Sequence, residues 1–121
     1  DLKGFFDLIE GEGTIVEFKT SAAALSPVDL DTRVQFTAYS YAYELLYGKP
    51  PKELRVLNLI KAKKPRIAEA VTSRDRESYR GFFHLTKEVL KGIRAGIFIP
   101  HPGYWCKECE YAQVCPIGPR R

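Results

Sequence analysis

Two alternating stretches on either side of Gly11-Glu12-Gly13 constrain this chain more than anything else in it. In "LKGFFDLIE" (2–10), Phe5, Asp7 and Ile9 fall on one face and Phe6 and Leu8 on the other. In "TIVEFKT" (14–20), Ile15, Glu17 and Lys19 share a face in a run rich in β-formers. A glycine-rich turn between two such runs predicts a β-hairpin. If the turn is Gly11 to Gly13, or a five-residue loop centred on Glu12, Asp7 lies opposite Glu17 on the same face. A two- or four-residue loop would put them on opposite faces. Like charges facing each other destabilise a hairpin, and burying them unpaired costs more. A divalent cation removes that conflict, since Mg²⁺ favours one or two carboxylates completed by water and phosphate oxygens. Lys19, one pleat beyond Glu17, then points at the same spot, where it could act on a metal-bound water or offset phosphate charge. A Glu-x-Lys on a strand is ordinarily a solvated face; it is the pairing with Asp7 that points to chemistry.

The rest of the chain reads as a small mixed domain. Its 121 residues suit one domain, expected to bury about two-thirds of the surface of the unfolded chain. Composition is ordinary, 45% hydrophobic and 28% charged, and no apolar run approaches the ~20 residues of a membrane span. A net charge of +4 favours an anionic partner such as nucleic acid. "SAAALSPVDLD" (21–31) connects to a helix over about 30 to 47, with Asp29 or Asp31 as N-cap, Val34, Ala38, Tyr41 and Leu45 as the apolar stripe, and Gly48 and Pro50 as its end. Gln35 and Tyr39, four apart, share a face beside that stripe. They read as a boundary amide and a half-buried phenol, or as donors to a phosphodiester. Arg33 is a further candidate phosphate contact. "LRVLNLI" (54–60) and "RIAEAVT" (66–72) predict a second hairpin across the basic turn "KAKKPR". If the strand continues, Lys61 and Lys63 alternate onto one face and could follow a DNA backbone. Residues 75–95 predict a helix, with Arg74, Arg76 and Arg80 decorating its start and Phe82 and Phe83 in the core. The order is β-β-α-β-β-α, an α/β or α+β fold.

The tail "HPGYWCKECEYAQVC" holds all three cysteines, Cys106, Cys109 and Cys115, in a C-x2-C-x5-C pattern. An odd count without secretory features argues against a disulfide framework. C-x2-C lets two thiolates grip one metal centre, but zinc or an iron–sulfur cluster normally takes four protein ligands. Neither His84 nor His101 sits at ligand spacing, and Tyr104 and Trp105 are expected to pack around the cysteines.

Asp7, then Glu17-Phe18-Lys19, then Gln35-x-x-x-Tyr39, in that order, resembles the PD-(D/E)XK nuclease superfamily, and within it the RecB-like exonuclease branch. The resemblance implies a restriction-endonuclease-like core, a central mixed sheet flanked by helices. It implies Mg²⁺ or Mn²⁺ held by Asp7, Glu17 and the main-chain carbonyl of Phe18. Lys19 becomes catalytic with Asp7 and Glu17, and Gln35 and Tyr39 organise the site or touch DNA. Phe6 stands where the motif's proline would be. Members carry a helix before the hairpin. Here the chain starts at Asp1 with no Met, so that helix is expected to be missing, which would leave the fragment weakened or inactive and an apolar surface free to drive homo-oligomerisation. Branch members with a [4Fe–4S] staple take one cysteine from before the core and three from a C-terminal C-x2-C-x5-C. Cys106, Cys109 and Cys115 match those three, so the cluster is expected in the full-length protein and incomplete or absent here. The resulting expectation is a nuclease core over 1–99 and a cysteine-rich tail over 100–121. It would act on DNA in a reducing, cytoplasmic setting, away from membranes, in repair, recombination or CRISPR-type processing, alongside a helicase or recombination partner. The rival is a non-catalytic nuclease-like or metal-stapled DNA-binding module.

Overall fold

The computed structural model describes residues 2–117. Residue 1 and residues 118–121, the outer ends of the two expected segments, lie outside the described residues. The chain forms two compact units, Asp1–Thr86 and Lys87–Arg121.

The first unit is built on a four-stranded sheet in the order β1-β2-β3-β4, with β1 Leu8–Glu10, β2 Thr14–Ser21, β3 Glu53–Ile60 and β4 Arg66–Thr72. The outer pairs β1–β2 and β3–β4 are antiparallel hairpins, and the central β2–β3 pair is parallel. Parallel neighbours need a long crossover, here supplied by α1 (Pro27–Thr32) and α2 (Val34–Tyr47). The first hairpin turns over three residues: Glu10 pairs with Thr14, and Gly13 N–H donates to the Glu10 carbonyl at 3.0 Å. Gly13 is required there. Its φ is +108°, and a Cβ would come within 2.5 Å of the Tyr43 hydroxyl. The first strand is much shorter than the alternation over 2–10 predicts, because pairing to β2 begins only at Leu8.

One sheet face carries the core. Ile15, Leu54 and Val56 pack there with Leu30, Phe36 and Tyr43 from the two helices. The crossover is not the single helix expected. Ser26, not Asp29 or Asp31, caps α1: its hydroxyl accepts from Asp29 N–H at 3.1 Å while Asp29 accepts back from Ser26, a capping box ahead of Pro27. The helix breaks at Arg33, whose ψ of 118° is extended, and restarts at Val34. The stripe that α2 buries also differs from the expected one. Phe36, Thr37, Ser40 and Tyr43 are buried, while Val34 and Leu45 are exposed. Apolar residues occur around the whole of α2, so spacing alone could not choose the face. Tertiary hydrogen bonds chose it: the Ser40 and Tyr79 hydroxyls share a buried bond of 2.8 Å that ties α2 to the start of α3 (Arg76–Arg94). Tyr41 instead packs edge-on against Tyr79 and Phe83, and Phe83 remains 44% exposed rather than core.

Arg74 does not decorate a helix start. Its guanidinium donates to Thr37 Oγ1 at 2.8 Å, Thr72 Oγ1 at 2.6 Å, and the carbonyls of Ser73 and Leu30, and it lies over the Phe36 ring. It joins β4, α1 and α2 by a fork of donors that lysine could not supply. The opposite sheet face is more open, with Leu8, Phe18, Leu59, Ile67 and Val71 exposed around Arg55, which pairs with Glu10, Glu53 and Glu69. The second unit holds the remainder of α3 and a short 3₁₀ turn, Tyr104–Glu108, where the Trp105 indole donates to the His101 carbonyl at 3.1 Å.

Candidate active site

The hairpin register settles which face each strand residue occupies. Leu8 pairs with Val16 and Glu10 with Thr14; continuing that count sets Asp7 across from Glu17. Asp7 lies just before β1, and its Oδ2 accepts from the Phe18 N–H at 2.9 Å. The carboxyl is thereby tied to β2, one residue from Glu17. In an extended strand a residue's N–H and C=O project to the same side. The Phe18 carbonyl therefore faces the edge where Asp7 sits, past the point where β1 pairing stops. The Phe18 side chain is on the open face of the sheet, 44% exposed.

Glu17 and Lys19 point the other way, toward α2. Glu17 is buried, 5% exposed. Its Oε1 accepts from Lys19 Nζ at 2.5 Å and from Gln35 Nε2 at 3.0 Å. Gln35 Oε1 in turn accepts from Lys19 Nζ at 3.0 Å, and Gln35 Nε2 also donates to the Tyr39 hydroxyl at 2.9 Å. The amide orientation is forced, because an ammonium can only donate and a carboxylate can only accept. Gln35 and Tyr39 reach the strand together because they are one helical turn apart at the start of α2. Tyr39 is further held by the Phe6 ring, 5.2 Å away and edge-on. Burial, reinforced by the negative charges of Glu17 and Asp7, holds the Tyr39 phenol above its ordinary range. It therefore stays protonated at neutral pH.

One atom of this network is left over. Glu17 Oε2 is buried and has no hydrogen-bond partner. A buried carboxylate oxygen without a donor is costly. Among the described residues, no three His, Cys, Asp or Glu side chains gather into a group that could hold a metal ion. The available donors are two carboxylates and a main-chain carbonyl, and these fit a hard cation of the Mg²⁺ or Mn²⁺ type that completes its shell with water and phosphate oxygens. A carboxylate bonded on one oxygen only, beside an ammonium, presents the other to such an ion.

The family profile of the PD-(D/E)XK nuclease superfamily matches residues 1–116. The chain belongs to that superfamily. No curated protein matches it. Membership in the PD-(D/E)XK nucleases implies a metal-dependent nuclease, and the mixed sheet with its helices is consistent with their restriction-endonuclease-like fold.

Other expected residues fall elsewhere. β3 ends at Ile60, so Lys61 and Lys63 do not alternate along a strand; both lie exposed in the β3–β4 turn. Arg33 is exposed at the α1–α2 break. Cys106, Cys109 and Cys115 are free thiols, Cys109 is exposed, and the Cys106 sulfur accepts from the Gly103 N–H at 3.4 Å. They do not gather with another ligand among the described residues, so no chemistry is routed through a cluster here. Asn58 is the residue that pattern reading missed. It is fully buried beside Lys19 in the parallel register, accepts from Leu25 N–H at 3.3 Å and donates to the Ala68 carbonyl at 3.3 Å. It fastens the connection between β2 and α1. The signal was present: in "ELRVLNLI" Asn58 is the polar member of the core-facing series Leu54, Val56, Asn58, Ile60.

Proposed function

We propose that this chain is a Mg²⁺- or Mn²⁺-dependent deoxyribonuclease of the RecB-like exonuclease type, hydrolysing phosphodiester bonds of DNA. The observation that carries the reading is the unpartnered, buried Glu17 Oε2 beside the Lys19 ammonium. Asp7, Glu17 and the Phe18 carbonyl would hold the metal. Bound there, a divalent ion supplies Lewis acidity and lowers the pKa of a coordinated water. Lys19 stands next to that position with one proton donated to Glu17 and one to Gln35. Its third N–H can orient the attacking water or meet the charge that grows on the phosphoryl oxygens. Gln35 fixes Lys19 and Glu17 relative to each other, and Tyr39 fixes Gln35.

A labelled oligonucleotide incubated with Mn²⁺ tests this. Wild type is expected to cleave, and Lys19→Ala to lose about 10²-fold or more in rate; equal cleavage by the two removes the mechanism. No helix among the described residues is long and apolar enough to cross a membrane. The cysteine tail is proposed, on its spacing alone, to supply three ligands of an iron–sulfur cluster in a reducing compartment. Iron in anaerobically purified full-length protein would support that, and stoichiometric zinc without iron would overturn it.

A further inference from the structure

Resting on the nuclease reading above, we propose that Lys3 and Phe5 seat the nucleotide next to the bond being cut, an unpaired base stacking on the Phe5 ring and its phosphate meeting the Lys3 ammonium. The placement follows from where the first strand stops. Pairing with β2 begins only at Leu8, so residues 2–7 run outside the sheet. Alternate residues lay this segment against α2. Phe6 is half-buried, edge-on to the Tyr39 ring at 5.2 Å, and packs against the core. A Cβ on Gly4 would lie 3.9 Å from the same ring, an ordinary contact distance. Lys3, Phe5 and Asp7 alternate with these two and are all exposed. The segment thus offers a cation, a ring and a carboxylate in turn along its outer side. The carboxylate is the proposed metal ligand, anchored to the Phe18 N–H at 2.9 Å. Phe5 is two residues from it, so their backbones are at most about 7 Å apart.

Exposure and charge single out the pair. Phe5 is 76% exposed, the most exposed aromatic side chain of the first unit, whereas Phe6 beside it is drawn in against Tyr39. A ring left in water gains by covering itself with another flat surface. The Lys3 ammonium stands 5.9 Å from the ring centroid, so a stacking surface and a cation come as one unit. None of the ion pairs among the described residues involves Lys3. A flat apolar surface beside a cation matches a base joined to a phosphate. Every base has a π-face, so this seat is indifferent to sequence. A base inside a duplex has both faces covered by its neighbours, so the occupant is a nucleotide of a single strand.

The test measures binding of the full-length chain to an oligothymidylate and to an abasic strand of equal length, by fluorescence anisotropy in EDTA, where nothing is cut. Wild type is expected to favour the base-bearing strand by about 5-fold or more, as base stacking of about 1 kcal/mol requires. Phe5→Ala is expected to lose that preference and Phe5→Trp, which restores a stacking ring, to keep it. Phe98→Ala, at a similarly exposed aromatic in the second unit, is expected to follow wild type. A second arm repeats the oligothymidylate titration across a salt series. Removing one lysine that neutralises a phosphate lowers the single-strand salt slope by about 0.7. Lys3→Ala is therefore expected to lose about 2.6-fold less affinity than wild type between 50 and 200 mM salt, and Lys49→Ala to follow wild type. The proposal is overturned if wild type binds both strands equally, if Phe5→Ala keeps the wild-type preference, or if Lys3→Ala keeps the wild-type slope. If Lys19→Ala still slows Mn²⁺-dependent cleavage in that case, the nuclease reading stands and only the nucleotide seat falls. Wild type that neither binds nor cleaves DNA overturns both.

Discussion

Glu17 and Lys19 stand two residues apart on one strand, and their pairing creates an asymmetry at Glu17: one oxygen has two donors and the other has none. The cation site proposed at that carboxylate can be tested without any substrate. Anything that binds the folded chain and not the unfolded one raises its stability by mass action. Wild type is therefore expected to melt at a higher temperature as Mn²⁺ is added, and Glu17→Gln to show no such rise; a metal response retained in Glu17→Gln would exclude Glu17 as a ligand. Lys19→Ala removes the neighbouring positive charge from a buried carboxylate and is expected to lower stability without metal by about 1–3 kcal/mol. Denaturant melts with and without Mn²⁺ check this, and added metal should recover part of the loss. The residues of this candidate site were legible early, because Asp7, Glu17, Lys19, Gln35 and Tyr39 are polar residues at positions whose neighbours are apolar. The amide bridge itself was not. Nothing in the spacing says that Gln35 bonds to both members of the strand pair, because that depends on how α2 crosses the sheet.

At the scale of elements, the starts of α1 and α3 are held by side-chain caps, whereas α2 starts at Arg33 without one. Ser26 caps α1, and Asp75 accepts from the Ser78 N–H at 2.8 Å at the start of α3. Ser26→Ala is expected to cost about 1 kcal/mol by urea denaturation. Hydrogen bonds from Ser26 hold the Asp29 carboxyl below its ordinary range, and bonds from Ser78 do the same for Asp75. A lowered carboxylate pKa adds stability at pH above the unfolded value, 3.8, and loses it as the pH falls through the folded one. Asp29→Asn and Asp75→Asn are thus expected to be less stable than wild type at neutral pH, with the gap closing well below pH 3.8. A gap that persists unchanged in acid would show that the cap is not electrostatic. The helix after the first hairpin was visible as a periodic segment, yet its break at Arg33 and its buried stripe were not. With apolar side chains on every side, the choice of face fell to partners distant in sequence, Tyr79 for Ser40 and Arg74 for Thr37.

For the whole molecule, every buried hydrophobic side chain among the described residues belongs to the first unit, from Ile15 to Tyr79. Regions with little buried apolar surface open at low free energy. Native-state hydrogen exchange is accordingly expected to show the strongest protection in β2 and β3 and little between Ile97 and Ile117; strong protection in that tail would overturn this distribution. Hairpins, turns and the acidic pair were determined by the sequence alone. Period-two alternation and the glycines at the turn act over a few residues, and hairpin register follows from turn length. Tertiary structure decided the parallel pairing of β2 with β3, the rotation of α2 that brings Gln35 and Tyr39 to Glu17, and the use of Asn58 and Arg74 as internal ties. Those choices join residues tens of positions apart, and only the shared requirement to bury a core while satisfying every polar group inside it can select among them.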